Sequence, residues 1–273
     1  MNTGWRVAAE STSGSLPVAT SWQLLIDRER SGAENMARDQ ALLDLAEQLG
    51  AVVLRVYQWY PHCISFGRNE PALARYHRDL IDSLGLDCVR RPTGGRAVWH
   101  ARELTYAVAA PLRLFGTLAL AYHSIHSMLA SAIESFGGAA SLATRPARQA
   151  TLDAGACFAS PAGGEVVMGG RKVVGSAQLR QGSAFLQHGS LLIEDGQDVI
   201  ARVTRGAPPP SLDTTLAVML GRSIGFAEVS TAVTEAAAAW RGPWEHWSHE
   251  PELQKREDEH LARFQSAEWT WRR

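Results

Sequence analysis

The sequence predicts an α+β fold: a mixed, largely antiparallel sheet with flanking helices. Three observations predict it. Short apolar runs come in series joined through glycine, as in EVVMGG, RKVVGSAQLR and SAFLQHGSLLIE over residues 165–194. Strict strand–helix alternation, which a doubly wound sheet requires, is absent. Two long segments with helical periodicity, residues 31–50 and 118–138, are placed to cover the faces of a sheet.

The elements follow in order. Residues 1–20 are small and polar, carry no apolar core of a signal peptide, and read as a flexible leader. Ser31 is a cap candidate for a helix with Met36, Leu42, Leu45 and Leu49 on one face and a stop at Gly50. Residues 51–59 (AVVLRVYQW) are short and β-branched, a strand, and HCISFGRN is a second strand running into a turn. RDLIDSLGLD is a short helix ending at Gly85. CVRRPTGGRAVWH reads as two short runs around a hairpin-like turn at Gly94-Gly95. ELTYAVAAP alternates as a strand, and residues 138–164 read as a loop. RGAPPPSL is a rigid linker, and a helical part runs from about residue 212 to 273. The length allows one large domain or two smaller ones after residue 20, and no internal repeats are present.

Composition removes several classes. The formal net charge of −1 gives no electrostatic footprint for nucleic acid or an anionic membrane. The most apolar window, residues 104–123, is broken by Pro111 and Arg113 and does not read as a membrane span. Three cysteines without a CxxC argue against a disulfide framework or a structural zinc site, and suit a reducing cytoplasm. There is no GxxxxGK[ST] phosphate loop and no HExxH metal motif, so no metal is expected.

Three stretches carry chemistry. The chain has only two lysines, Lys172 and Lys255, among 27 Lys and Arg. Lys172 is either a solvated residue at a hairpin mouth or an amine kept where a titratable point charge matters. In RRPTGGRAVWH, Gly94 and Gly95 let the backbone approach a ligand closely, with Arg90, Arg91 and Arg96 beside it. That segment is an oxyanion or carbonyl seat, or a glycine hairpin with solvated arginines. Cys157, between small neighbours and fifteen residues before Lys172 (172 − 157), is either a thiolate nucleophile eased by a nearby cation or a small buried hydrophobe. Cys63 and Cys88 lie in apolar runs and read as buried. His188 either reaches across a site or ties two strands together.

Taken in order, NMARDQALL, ISFGRN, RRPTGGRAVWH, ELTYAV, GRKVVGSAQ and LQHGSLLI resemble the lipoate-protein ligase and octanoyltransferase superfamily, which includes biotin protein ligase. The resemblance runs from about residue 22 to 193, with a weaker echo in EWTWRR. It implies the biotin/lipoate-ligase-like catalytic fold as a single domain over residues 21–273, an acyl tunnel beside the RRPTGG segment, and a lysine, here Lys172, contacting the acyl carbonyl. ACFASP followed by GGRKVVGSAQ is most similar to the cysteine-dependent octanoyl-[acyl-carrier-protein]:protein transferase branch, with Cys157 matching its cysteine.

The resemblance thus implies Cys157 and Lys172 as catalytic residues. It implies Arg91, Thr93, Gly94, Gly95, Arg96, Val98, His100, Gly175, Ser176, Ala177, His188 and Gly189 as substrate-binding, with Val173 and Val174 also along the tunnel. The donor would be octanoyl-acyl carrier protein. The acceptors would be lipoyl-domain E2 subunits or the glycine cleavage H protein, with no cofactor. An ATP-dependent ligase, an amidotransferase between lipoyl-domain proteins and a non-catalytic acyl-binding module are the alternatives. The arginines at 90, 91, 96, 145, 148, 171 and 180 form either a docking face for an acidic carrier or ordinary solvated charges.

Overall fold

A computed structural model describes residues 22–144, 163–194, 197–206, 215–241 and 244–272. The expected leader, the linker's residues 207–212, Arg145, Arg148 and Cys157 lie outside the described residues.

The chain enters on β1 (Trp22–Ile26) and α1 (Gly32–Leu49), then β2 (Val53–Tyr57) and β3 (Cys63–Phe66). Two short helices, α2 (Ala72–Arg75) and α3 (Arg78–Ser83), lead to β4 (Asp87–Arg90), β5 (Val98–His100) and β6 (Glu103–Pro111). Helix α4 (Leu118–Ser135) precedes β7 (Ala140–Leu142), β8 (Val166–Met168), β9 (Arg171–Lys172) and the hairpin β10 (Val174–Gln181) and β11 (Ala184–Leu192). The remainder is α5 (Asp198–Val203), α6 (Leu216–Leu220), α7 (Phe226–Trp240), β12 (Trp244–His246), α8 (Glu250–Gln265) and α9 (Ala267–Trp271).

The main sheet has the order β10-β11-β6-β2-β1-β12. Its β10-β11, β11-β6 and β6-β2 pairs are antiparallel, while β2-β1 and β1-β12 are parallel. The sheet is therefore mixed, as the sequence predicts. Strand β6 is buried on both faces because side chains alternate. Leu104, Tyr106, Val108 and Ala110 join the core under α4 and α7, and Ala107 and Ala109 join the core under α1.

Helix α1 forms where the sequence places it. Ser31 and Glu34 make a reciprocal capping box, and Gly50 closes the helix at φ 70°. It is buried between the sheet and α8, so its polar residues must find internal partners. Arg38 meets Glu257 at 2.8 Å, Glu250 at 2.6 Å and Asp27 at 2.7 Å.

Several local expectations change. Strands β4 and β5 do not form a hairpin around Gly94-Gly95: both pair with β3, β4 in parallel and β5 antiparallel. Hydrogen bonding to a third strand outweighs the turn chemistry of the glycines. The stretch RKVVGSAQLR is two strands, because β9 joins β7 and β8 in a separate sheet while β10 belongs to the main one. The region read as a loop contains β7, and the helical tail contains β12, which extends the main sheet beside β1. No helix among the described residues is long and apolar enough to cross a membrane.

Candidate active site

A cavity with about 430 Å³ of empty space, its mouth included, opens where the hairpin β10-β11 faces the small sheet β4-β3-β5. Met36 of α1, Tyr57 at the end of β2 and Trp59 two residues past it form one wall. Ser65, Val98 and His100 form another, with Arg91 and Gly95 from the glycine loop. Gly175, Ser176, Ala177, His188, Gly189, Ser190 and Thr105 complete it. The mainly apolar lining, with a few fixed polar groups, suits a small organic ligand.

Glycine is required at two close approaches. A Cβ on Gly189 would overlap the Gly175 carbonyl oxygen and press the Tyr106 ring, and a Cβ on Gly67 would overlap the Gly95 carbonyl. Gly95 itself sits at φ 96°. The glycine loop is held from inside. Arg91 donates to the Ser65 carbonyl and hydroxyl, both at 2.8 Å, to Gly94 O at 3.0 Å and to Arg96 O at 2.6 Å. Arg90 donates to the carbonyls of Gly67, Glu70, Thr270 and Arg272, which ties the loop to the C-terminal helix. Arg90 and Arg91 are both buried, so neither belongs to a docking face nor is solvated. Burial of a guanidinium requires such a cage of acceptors, and inward-turned loop carbonyls supply it.

Three hydrogen-bonded chains border the cavity. In the first, His188 lies 2.8 Å from Asp39 Oδ2 through Nδ1 and 2.6 Å from Thr93 Oγ1 through Nε2. Asp39 also accepts from Tyr57 Oη and Arg55, both at 2.8 Å. Burial pushes the Asp39 carboxyl up, but the His188 hydrogen bond and the Arg55 charge outweigh it and hold it below 3.8. Burial lowers His188 despite Asp39, so a neutral ring donates from Nδ1 to Asp39 and accepts from Thr93. His188 thus bridges β11, α1 and the glycine loop.

In the second chain, Glu103 Oε1 accepts from His100 Nδ1 at 2.6 Å, Thr105 Oγ1 at 2.5 Å and Ser190 Oγ at 2.9 Å. His100 Nε2 meets Ser65 Oγ at 2.6 Å, and Trp59 stacks on the His100 ring with centroids 3.9 Å apart.

In the third, Gln187 donates to Tyr106 Oη at 2.9 Å, and Tyr106 meets Ser176 Oγ at 2.7 Å. Ser176 meets His126 Nε2 at 2.8 Å, and His126 Nδ1 meets the Gly164 carbonyl at 2.7 Å. Burial takes His126 down to about 4; the Gly164 hydrogen bond opposes this, and the nearby Lys172 charge adds to it. The neutral ring is the folded form, while the unfolded chain takes up its proton first, near 6.5. Stability from this group is therefore complete above pH 6.5 and is lost as pH falls toward about 4. Thermal melts across that window should show a falling midpoint in the native chain and a shallower fall in His126→Gln. Equal slopes would assign the loss to other groups.

Of the residues that the sequence singled out, Arg91, Gly95, Val98, His100, Gly175, Ser176, Ala177, His188 and Gly189 line the cavity. Thr93 stands behind His188, while Gly94 and Arg96 contribute carbonyls to Arg91. Val173 and Val174 are packed into the core under α4. Lys172 is buried on β9 and its Nζ lies 2.6 Å from Glu165 Oε1, so it is not a solvated hairpin lysine. Cys157 lies outside the described residues. Cys63 is buried as read, while Cys88 is half-buried; desolvation raises the Cys63 thiol well above its usual value and Cys88 to about 12. Sequence reasoning missed Met36, Tyr57, Trp59, Ser65, Thr105 and Ser190 in the lining, and Asp39, Glu103 and His126 behind it. The period-two spacing of Tyr57 and Trp59 is the one signal that they share a strand face.

The same site stands within a recognisable sequence family. The lipoyl protein ligase A/B catalytic domain family matches residues 31–238. An octanoyltransferase LipM from Symbiobacterium thermophilum is 35% identical over 230 residues, covering 78% of this chain and 84% of that protein. A crystal structure of lipoate-protein ligase A bound with ATP superposes with a TM-score of 0.76 at 17% identity, over 92% of this chain and 98% of that one. A structure described as a bi-partite lipoate protein ligase and its E2 lipoyl domain, from Thermoplasma acidophilum, gives a TM-score of 0.67 at 17% identity, over 92% of this chain and 96% of that one. These two likenesses show the fold. With its cavity built wholly from the matched stretch, this chain belongs to the lipoyl protein ligase A/B catalytic domain family.

Proposed function

We propose that this chain transfers an octanoyl group from the thioester of an acyl carrier protein to a lysine amine of a lipoyl-domain protein, through a thioester on Cys157. The observation that carries the reading is the cavity whose walls hold nine of the twelve residues singled out as substrate-binding. The relative named octanoyltransferase supports the acyl group. An eight-carbon chain seated against Val98, Tyr57 and Trp59 would gain about 5 kcal/mol, at roughly 0.8 kcal/mol per methylene.

In the first step the Cys157 thiolate attacks the donor carbonyl. The C–S bond to the carrier breaks, and the carrier leaves as a thiolate that takes up a proton. One thioester replaces another, so the exchange is nearly balanced without ATP. In the second step the neutral amine of the acceptor lysine attacks the acyl-enzyme, Cys157 leaves as thiolate, and the amide nitrogen loses a proton. Forming an amide from a thioester drives the sequence forward. The Lys172 ammonium favours the thiolate and the developing oxyanion, and backbone N–H groups of the glycine loop near Gly94 and Gly95 serve the same oxygen.

Incubation with octanoyl-acyl carrier protein without ATP, followed by intact mass measurement, tests this. The enzyme should gain one octanoyl increment, an added lipoyl domain should acquire it, and Cys157→Ser should lose both. Full transfer by Cys157→Ser would remove the relay. Transfer only from free octanoate with ATP would make the chain a ligase.

A further inference from the structure

A second cavity lies beside the first, between α1, β10 and the C-terminal helices. Its lining includes Arg68, Arg180 and Arg263, with Asp44 the one carboxylate there among the described residues, and Pro92 and Trp269 among its apolar surfaces. The charge there does not balance. Both Asp44 oxygens are already taken, Oδ1 by Gln40 at 3.2 Å and Gln181 at 2.7 Å, and Oδ2 by His260 at 2.6 Å. No arginine of the cavity forms an ion pair among the described residues. Arg68 has no side-chain hydrogen bond there. Arg180 donates only to the Gly182 carbonyl, at 2.9 Å. Arg263 makes one long contact, to Gln40 at 3.3 Å, and its Nε is buried without a partner.

The Arg263 guanidinium is held in place between its own neighbour Phe264, 4.5 Å away, and Trp269, 5.0 Å away. Burial lowers its pKa; the Asp44 charge opposes this, and the charges of Arg68 and Arg272 add to it. A half-buried guanidinium whose Nε is buried without a partner, near two further arginines that form no ion pair among the described residues, is the arrangement that planar forks make around an oxyanion.

We propose that this cavity binds a phosphate-type oxyanion. The inference stands apart from the transfer reading, because the charge imbalance is present whatever the first cavity does. The two cavities share their walls. Met36 and Gln40 are one turn apart on α1, Arg91 and Pro92 are adjacent in the glycine loop, and Ala177 and Leu179 are successive same-face residues of β10. The oxyanion therefore comes either as a free phosphate compound or as the phosphodiester on the pantetheine arm of an acyl donor.

Calorimetric titration of the full chain with inorganic phosphate, and separately with pantetheine 4′-phosphate, tests the site, with sodium chloride at matched ionic strength as control. Saturable binding is expected, weakened about tenfold or more by the double change Arg68→Gln and Arg180→Gln. Both side chains are exposed, so this variant should fold. Arg263→Lys keeps the charge but loses the fork, and should weaken binding less. Tighter binding of pantetheine 4′-phosphate than of phosphate assigns the donor's arm, and equal binding assigns a free phosphate compound. Absence of saturable binding with both probes, or affinity unchanged in the double variant, overturns the proposal.

Discussion

Lys172→Met is expected to slow octanoyl transfer by about 10² to 10⁴-fold, the range for losing a positioned proton-transfer or charge-stabilising group. It should also cost roughly 3–5 kcal/mol of stability, because it leaves the Glu165 carboxylate buried without its ammonium. The stability effect alone does not establish a role in chemistry. The double variant Lys172→Met with Glu165→Gln separates the two. Removing both charges of a buried pair is often close to neutral for stability. The double variant should therefore melt near the native chain in urea while remaining as inactive as Lys172→Met in the intact-mass transfer assay. Recovery of activity together with stability would show that the pair only holds β9 against the segment around Glu165.

The second large effect is at Asp39. Asp39→Ala is expected to cost about 3–5 kcal/mol by urea unfolding, since it removes a buried partner of Arg55 and the acceptor for both Tyr57 and His188. Transfer should fall as well, because His188 and Thr93 lose the group that orients them. The pH dependence has a definite sign. The folded carboxyl is held below its ordinary 3.8, so its contribution is complete above that pH. The contribution disappears as pH falls through the lowered folded value, and the gap between native and Asp39→Ala should close only there. A loss under 1 kcal/mol at neutral pH would mean that Arg55 is adequately served by Asp27 and Asn35.

Residues 31–50 show why some features were readable in advance. Cap, periodicity and stop are local, so a helix there follows from neighbours in the chain. The glycine loop shows the opposite. Its glycines favour a turn, yet β4 and β5 are drawn to β3, which lies more than twenty residues upstream of both. Trp244–His246 shows no long strand pattern and becomes one only because β1 offers a free parallel edge.

The sequence by itself determined the α+β class, the first helix, the hairpin β10-β11 and the cavity's glycine and histidine lining. Those depend on short-range spacing and on residue types with few alternative uses. Tertiary structure alone decided the fate of the charges. Arg90 and Arg91 look like surface cations in the sequence, and become buried because carbonyls from distant segments turn toward them. It also decided which carboxylate meets which base: Asp39 with His188 and Glu103 with His100. Electrostatic energy depends on distance through space and on burial, and neither is encoded in separation along the chain.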